Sequence, residues 1–258
     1  MSSVARAFRV IDRLARDGAM GVRAIAGTLD LPLGSTHRLL ADLAGEHIIE
    51  QTPDGQWQLS YRLLEITDRQ IDHVGFPRMA RPWCDALARF SGETVNVNVL
   101  SSLSCVCIDK VRGNEAMQLD WRVGARGPLH CGGSAKAMLA FLTPADLALV
   151  MAAPLPAYNA NTITDPAALA AEVDRIRARG YAIDAQEIVM GVFCVGVPIL
   201  GRGGLPVGAI SVSGTTPKAP GASLAPLVAR LHEACHAVSQ RLGYAGSWPP
   251  ITDKVSAA

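Results

Sequence analysis

Five groups of residues in this chain have the types and spacing to do chemistry. His232-Glu-Ala-Cys-His236 sets two imidazoles on one helical face with a carboxylate beside the first, the H-E-x-x-H pattern of zinc hydrolases. No Gly-x-x-His follows it, and the acidic residue downstream is Asp253, near the chain end, so a polar helix face accounts for the pattern better than a metal centre. His130-Cys131 offers a thiol and a base, but adjacent residues on an extended segment point apart and pair poorly. Gly132-Gly-Ser134 opens a helical pattern, where free backbone N–H groups suit a carboxylate. Ser211 and Ser213 lie two apart in a strand-like run and turn both hydroxyls to one side. The fifth group, Ser35-Thr-His-Arg38, stands at the start of a helix. Arginine can fork onto guanine or hold a phosphate, serine and threonine serve either role, and Ser35 is equally suited to cap the helix. No catalytic residue, metal ligand or cofactor is assigned.

The elements that must position these groups follow from hydrophobic period. Residues 2–17 read as a helix ended by Asp17-Gly18, with Val4, Ala7, Phe8, Ile11, Leu14 and Ala15 as its apolar face. Residues 21–29 read as a second helix and 34–46 as a third, whose Leu39, Leu40 and Leu43 face inward. Ile48–Gln51 and Gln56–Leu59 then flank Thr52-Pro-Asp-Gly55, a hairpin signal, with Trp57 packing the hairpin on the core. Helix, helix, turn, helix, hairpin is the order of a winged helix-turn-helix, a module that lays its third helix in the DNA major groove. Residues 60–74 predict a stiff connecting helix, and 76–90 another, with Pro82 as a kink or a start.

From Ser91 the period changes. Residues 93–100, 104–111 and 117–123 predict antiparallel strands; 132–142, 144–152 and 165–179 predict helices. Strands return at 181–187, 193–200 and 207–213, a helix spans 224–242, and the tail from Gly246 is expected to be loose. Strands, helices, strands, helix make an α+β domain with a central antiparallel sheet.

Composition narrows the classes. The 258 residues are 49% hydrophobic and 18% charged, with a net charge of +1, enough chain for two ordinary domains. Without an apolar run of roughly 18 residues no membrane span is expected, and the amphipathic N-terminus does not read as a secretory signal. The six cysteines are scattered without a C-x-x-C pair, which suits buried thiols in the reducing cytoplasm. Residues 1–60 hold six arginines against seven acidic residues, so bulk charge does not announce a nucleic-acid partner. Distribution does more: Arg6, Arg9, Arg13 and Arg16 share one helical face, a reasonable phosphate-contact stripe.

Across about residues 3–243 this order and several strings resemble the IclR family of bacterial transcriptional regulators. The strings are Ser3-Val-Ala-Arg-Ala-Phe-Arg-Val-Ile11, Leu31-Pro-Leu-Gly-Ser-Thr-His-Arg-Leu-Leu40, Val123-Gly-Ala-Arg-Gly-Pro-Leu-His-Cys131 and Ala135-Lys-Ala-Met-Leu-Ala-Phe-Leu142. Asn161-Thr-Ile-Thr-Asp165, Gly180-Tyr-Ala-Ile-Asp184, Gly191-Val-Phe-Cys194 and Ser211-Val-Ser-Gly214 complete the set, eight in the right order. The resemblance implies two domains: an N-terminal winged helix-turn-helix, mainly α with a β-wing, at 1–60, and a C-terminal α+β GAF-like domain with an antiparallel sheet at 76–245. A linker helix at 61–75 and a flexible tail at 246–258 complete the division.

The resemblance also implies a ligand-responsive, cytoplasmic regulator that binds a pseudo-palindromic double-stranded DNA operator as a homodimer or homotetramer. On the DNA side it points to Arg6, for backbone phosphate, with Ser35, Thr36, His37 and Arg38 on the recognition helix. Effector contacts are implied at Leu119, Gly133, Ser134, Asp184, Cys194, Ser211 and Ser213, a set able to hold a small organic acid, with Trp121 and Phe193 leaving room for an aromatic one. The chain departs from the family pattern at Leu33 and Gln56, where a basic residue is usual, and at Phe193. The first two losses each remove a phosphate contact and leave non-specific DNA affinity modest and salt-limited. Two alternatives stand beside the regulator: a zinc hydrolase using His232, Glu233 and His236, and a sensor that no longer binds DNA.

Overall fold

The computed structural model describes residues 2–113, 121–215 and 224–250, and divides into two compact units, 1–74 and 75–258. In the first unit α1 (Ser3–Asp17) starts where the Ser2 hydroxyl accepts the Ala5 N–H at 3.2 Å and stops at Gly18, whose φ of 78° a side chain would resist. It buries Val10 and Leu14. Val4 and Phe8, expected on the buried face, are instead 64% and 62% exposed: Phe8 lies about a third of a turn from the line of Ala7, Val10, Ile11 and Leu14 that meets the core, and Val4 stands in the first turn, N-terminal to that line. α2 (Val22–Leu29) ends at Asp30 in the left-handed region, and Pro32 leads into α3 (Leu33–Gly45). The core joins Val10 and Leu14 to Ile25, Leu29, Leu40, Leu43 and Ile49.

The wing pairs β1 (Ile49–Gln51) with β2 (Trp57–Leu59), Ile49 opposite Leu59. Its turn is closed by the Gly55 N–H on the Thr52 carbonyl at 2.9 Å, and Trp57 exchanges two 2.8 Å backbone bonds with Met20, which pins the wing to the loop after α1. α4 (Arg62–Val74) closes the unit.

The second unit is a six-stranded antiparallel sheet in the order β5-β4-β3-β8-β7-β6. The strands are β3 (Thr94–Ser101), β4 (Ser104–Val111), β5 (Arg126–Gly127), β6 (Ala182–Ala185), β7 (Val192–Leu200) and β8 (Pro206–Thr215). Alternation decides what each face does. Val95, Val97, Val195, Val197, Ile210 and Val212 are buried on the side of α5 (Phe76–Ser91) and α9 (Leu224–Arg241). Asn96, Asn98, Cys194, Gly196, Ser211 and Ser213 face α6 (Gly133–Leu139). α7 (Pro144–Ala152) and α8 (Pro166–Arg179) complete that layer, around Leu129, Met138, Leu139, Leu169 and Ile176.

Three expectations need correction. The strand over 117–123 falls partly on residues outside those described, and Trp121–Val123 is not a strand; Arg126–Gly127 pairs with β4 instead. The helix over 132–142 is only seven residues, Gly133–Leu139, after which i→i+3 bonds from Phe141 to Met138 and Leu142 to Leu139 tighten the chain. The tail is not loose from Gly246 on, since Trp248 stacks on His236 of α9 with ring centroids 4.9 Å apart; residues 251–258 lie outside those described. Pro82 sits inside α5, whose start is marked by Pro77. Among the described residues no helix is long and apolar enough to cross a membrane.

Candidate functional site

The turn Asp30–Pro32 projects the first residues of α3 away from the small core. Ser35, His37 and Arg38 are exposed there, with Leu33 beside them at 43%. Thr36 is the exception and a correction: it is fully buried, and its hydroxyl donates to the Pro32 carbonyl at 3.2 Å, so it faces the core rather than a groove. Ser35 does not cap the helix either. Pro32 occupies the cap position, and no side chain bonds the free amides. Of the arginine stripe on α1, Arg9 and Arg16 are exposed, Arg6 is half-buried, and Arg13 is paired with Asp17 one turn on. Gln56 is exposed at the wing tip.

The second site is a cavity of about 230 Å³ between the sheet and α6. Register builds it. Asp184 pairs across to Cys194 and Cys194 to Ser213; on the next rung Gly196 pairs to Ser211 and Ser211 to Asn96. Directly opposed residues project to the same side of a sheet, so these rungs place an acid, a thiol, two hydroxyls and an amide on one wall. The opposite wall is the Gly132–Ser134 turn, brought in by two glycines. A Cβ on Gly196 would lie 2.4 Å from the Gly133 carbonyl carbon, and one on Gly133 2.8 Å from Cys194 Sγ. Trp121, Ile188, Val189 and Val192 supply apolar lining.

Six of the seven expected effector contacts, Gly133, Ser134, Asp184, Cys194, Ser211 and Ser213, thus border one cavity; Leu119 lies outside the described residues. Sequence reasoning missed Asn96 and Asn98. Each is almost fully buried, with one side of its amide on a serine hydroxyl (Ser213 at 3.2 Å, Ser134 at 2.8 Å) and the other unpartnered. The signal was present in Val95-Asn-Val-Asn-Val99, where polar residues hold one face of a strand buried on both sides. Phe193 does not line the cavity, whereas Trp121 does.

The expected helix-start donors are largely spent. The Gly132 N–H donates to Glu187 Oε2 at 3.0 Å, and the Gly133 N–H to Cys194 Sγ. Seven residues also give α6 little macrodipole, which grows with aligned peptide units. Beneath the turn lies a buried ion network that sequence reasoning also missed. Lys136 Nζ meets Glu187 Oε1, donates to the Ile183 carbonyl at 2.7 Å and stands 3.6 Å from Glu172 Oε1. Burial pushes the Glu172 carboxyl up, but Lys136, Arg175 and Arg179 outweigh it and hold the pKa below the usual range. Glu187 thus ties the 186–191 loop to the Gly132 turn, while its own N–H donates to Asp184 Oδ1 at 2.7 Å.

Burial dominates the titration of the cavity groups. It raises Asp184 to about 6, with Glu187 pushing the same way and the Glu187 N–H and Lys136 opposing. It raises Cys194 to about 11 although the Ser211 and Ser213 hydroxyls reach its sulfur. Cys105 and Cys131 are held up at about 12, so these thiols are poor nucleophiles. His130 is buried with Nε2 3.0 Å from the Pro156 carbonyl oxygen. The H-E-x-x-H stretch builds a different object: the His236 ring stacks on Trp248 within 8° of parallel, and His232 meets Trp248 edge-on at 5.8 Å. Among the described residues no three His, Cys, Asp or Glu side chains converge to hold a metal ion.

Two family models match this chain: the IclR helix-turn-helix domain over residues 3–53, and the C-terminal domain of bacterial IclR transcriptional regulators over 69–240. The transcriptional regulator BhcR of Paracoccus denitrificans is 30% identical over 236 residues, covering 91% of this chain and 85% of its own length. The crystal structure of the Thermotoga maritima IclR superposes with a TM-score of 0.83 at 28% identity, over 94% of this chain and 99% of that one. A Microbacterium hydrocarbonoxydans IclR homologue complexed with 4-hydroxybenzoate gives 0.82 at 26% identity, over 93% and 99%.

Proposed function

This chain belongs to the IclR family of bacterial transcriptional regulators, and from that premise we propose that it binds a pseudo-palindromic operator as a homo-oligomer and releases or tightens it on sensing a small aromatic acid. The first unit carries DNA recognition. Ser35, His37 and Arg38 reach from the exposed start of α3 to base edges or phosphates, and Arg6 with the exposed Arg9 and Arg16 holds the backbone. The second unit carries sensing. The observation that supports it most is the register-built cavity, in which two half-satisfied asparagine amides, three serine hydroxyls and Asp184 converge beside the Trp121 ring.

Size and lining support an aromatic ligand. About 230 Å³ exceeds the ~150 Å³ in which an apolar cavity already takes benzene, and Trp121 offers an aromatic contact. The similar Microbacterium structure is of a complex with an aromatic hydroxy acid. Ligand binding shifts the operator affinity to the extent that the acid prefers one arrangement of the oligomer over another.

Fluorescence anisotropy on DNA from immediately upstream of the chain's own gene tests this, run at several salt concentrations with and without a panel of benzoates. Tight, salt-dependent binding that one acid shifts, and that Arg38→Ala weakens, is the expected result. Binding that no acid moves would remove the sensing half of the proposal, and no specific binding at any salt would favour a sensor that has lost DNA recognition.

A further inference from the structure

A carboxylate entering this cavity meets an electrostatic problem. Among the described residues no Lys, Arg or His lines it, and its one formal charge is Asp184, itself 4% exposed. The nearby cation, Lys136, is committed to Glu187 and the Ile183 carbonyl beneath the Gly132 turn. The two amides that open α6 are occupied by Glu187 and Cys194. What remains for the ligand is neutral: the Ser134, Ser211 and Ser213 hydroxyls, the Ser134 and Ala135 N–H groups in the first turn of α6, and the Oδ1 acceptors of Asn96 and Asn98, which suit a protonated carboxyl and not a carboxylate. A sphere of about 230 Å³ is about 8 Å across, no more than the ~8–10 Å over which charges at physiological salt feel each other. An anionic ligand anywhere in the cavity therefore lies in the field of the buried Asp184 carboxylate.

We propose that the cavity takes its acid together with one proton, so that Asp184 and the ligand carboxyl share a single negative charge in the complex. The reading rests on the aromatic-acid function above and deepens it by fixing the charge state recognised. Two carboxylates in one low-dielectric site cannot both stay ionised, and the pair keeps a proton that neither would hold alone at neutral pH. The balance is simple: free protein and free ligand each enter ionised near pH 7, one proton is taken from the buffer, and no covalent bond changes.

Each element packed against Asp184 contributes to this poise. From the loop after β6, the Glu187 carboxylate raises Asp184 while the Glu187 N–H lowers it; from α6, Lys136 lowers it; across the strand pair stands the Cys194 thiol and beside the turn that of Cys131, both neutral at these pH values. Burial exceeds all of these and leaves Asp184 titrating at about 6, within reach of the proton taken from the buffer when the ligand carboxylate arrives beside it. Asp184 is thereby a specificity-determining residue: protonated, it donates to a carboxyl oxygen and admits acids; ionised, it accepts from a hydroxyl or amide N–H.

Isothermal titration calorimetry on the full chain tests the proposal, with 4-hydroxybenzoate and the neutral 4-hydroxybenzamide as probes. Each is measured at pH 6.5 and 8.0, in two buffers of different ionisation enthalpy. The expected result is uptake of close to one proton per acid bound at pH 8.0, and a Kd for the acid that weakens roughly twentyfold between the two pH values by proton linkage. The amide is expected to bind with no proton uptake and unchanged affinity. Asp184→Asn, which keeps the shape and supplies a permanent donor, is expected to make acid binding independent of pH; should that variant not fold, the buffer comparison on the unmodified chain decides alone. Acid binding with no proton uptake and equal affinity at both pH values overturns the proposal and leaves the aromatic-acid reading standing. Failure of both probes to bind at either pH overturns that reading and this inference with it.

Discussion

Ser35, His37 and Arg38 reach solvent from one turn of a single helix, whereas Asp184, Cys194, Ser211 and Ser213 meet only because three strands hold one register. The first surface is local: its residues lie within four positions of one another, and losing one leaves the others in place. The second is collective, and its supports are buried groups that touch no ligand. Damage should therefore spread differently in the two units. Substitutions under the cavity should cost stability and sensing together, and those on α3 should cost DNA affinity alone.

The strongest attempt to break this contrast is Lys136→Met. Lys136 is buried to 1% of its side chain, and removing it leaves Glu187 and Glu172 facing each other without their shared cation. Breaking a buried pair from one side costs about 3–5 kcal/mol. Urea denaturation followed by circular dichroism should show the second unit losing about that much, with benzoate binding lost and the helix-turn-helix unit unaffected. A shift below about 1 kcal/mol would mean that the network is solvated and does not hold the Gly132 turn. Next in size is Gly196→Ala, whose Cβ would stand 2.4–2.6 Å from the backbone of Gly133 and Ser134. Overpacking of this kind costs about 1–3 kcal/mol, and here it pushes α6 off the sheet, so ligand affinity should fall by more than stability alone explains.

How much of each region the sequence revealed follows the same division. The helices and hairpin of the first unit were legible because their hydrophobic period, Asp17-Gly18 and the Pro32 turn are local signals. Even there Thr36 was misjudged: one position of helical phase separates a groove-facing hydroxyl from a core one, and Ser35 and Thr36 are chemically alike. In the second unit every strand but β5 was legible, as were α7 to α9, and the resemblance pointed to six residues that the fold brings together. Lys136 and Glu187 were not found, because nothing local tells a buried ion pair from two exposed charges 51 positions apart, and Asn96 and Asn98 were passed over although their alternation with valines marked one face of a buried strand. The H-E-x-x-H stretch lies on α9, but the polar face expected of it is a half-buried pair of imidazoles packed on Trp248. Its company, Trp248 folding back from a segment expected to be loose, was beyond local signals.

A smaller effect sharpens the comparison on the DNA side. Arg38→Ala should weaken operator binding about tenfold or more and reduce the salt slope by about one if the arginine meets a phosphate; if it reads a base, discrimination at one operator position relaxes instead. Thermal stability should be unchanged, since the residue is exposed. Smaller again is a pH effect confined to the second unit. Burial lowers His232 from 6.5 to about 4, so between those values the unfolded chain binds more protons than the folded one. Stability contributed by the neutral ring is therefore complete above about pH 6.5 and is lost on acidification toward pH 4. Scanning calorimetry should show the melting temperature of the second unit falling by a few degrees over that window, and His232→Phe should flatten this share of the slope.

The smallest effect separates two neighbouring residues. Thr36 donates to the Pro32 carbonyl from a fully buried position, while Ser35, one residue earlier, is exposed and makes no cap. Thr36→Val keeps the shape, removes one hydrogen bond and should cost about 0.5–1.5 kcal/mol of stability. Operator affinity, measured by anisotropy below the melting range, should stay within about twofold, well short of the ~1.4 kcal/mol that a tenfold change represents. Ser35→Ala should do the reverse, leaving stability alone and weakening DNA binding modestly. If Thr36→Val instead lowers operator affinity tenfold with stability intact, α3 turns on its axis when it meets DNA, and the division between a rigid, locally built surface and a collectively built cavity fails in the first unit.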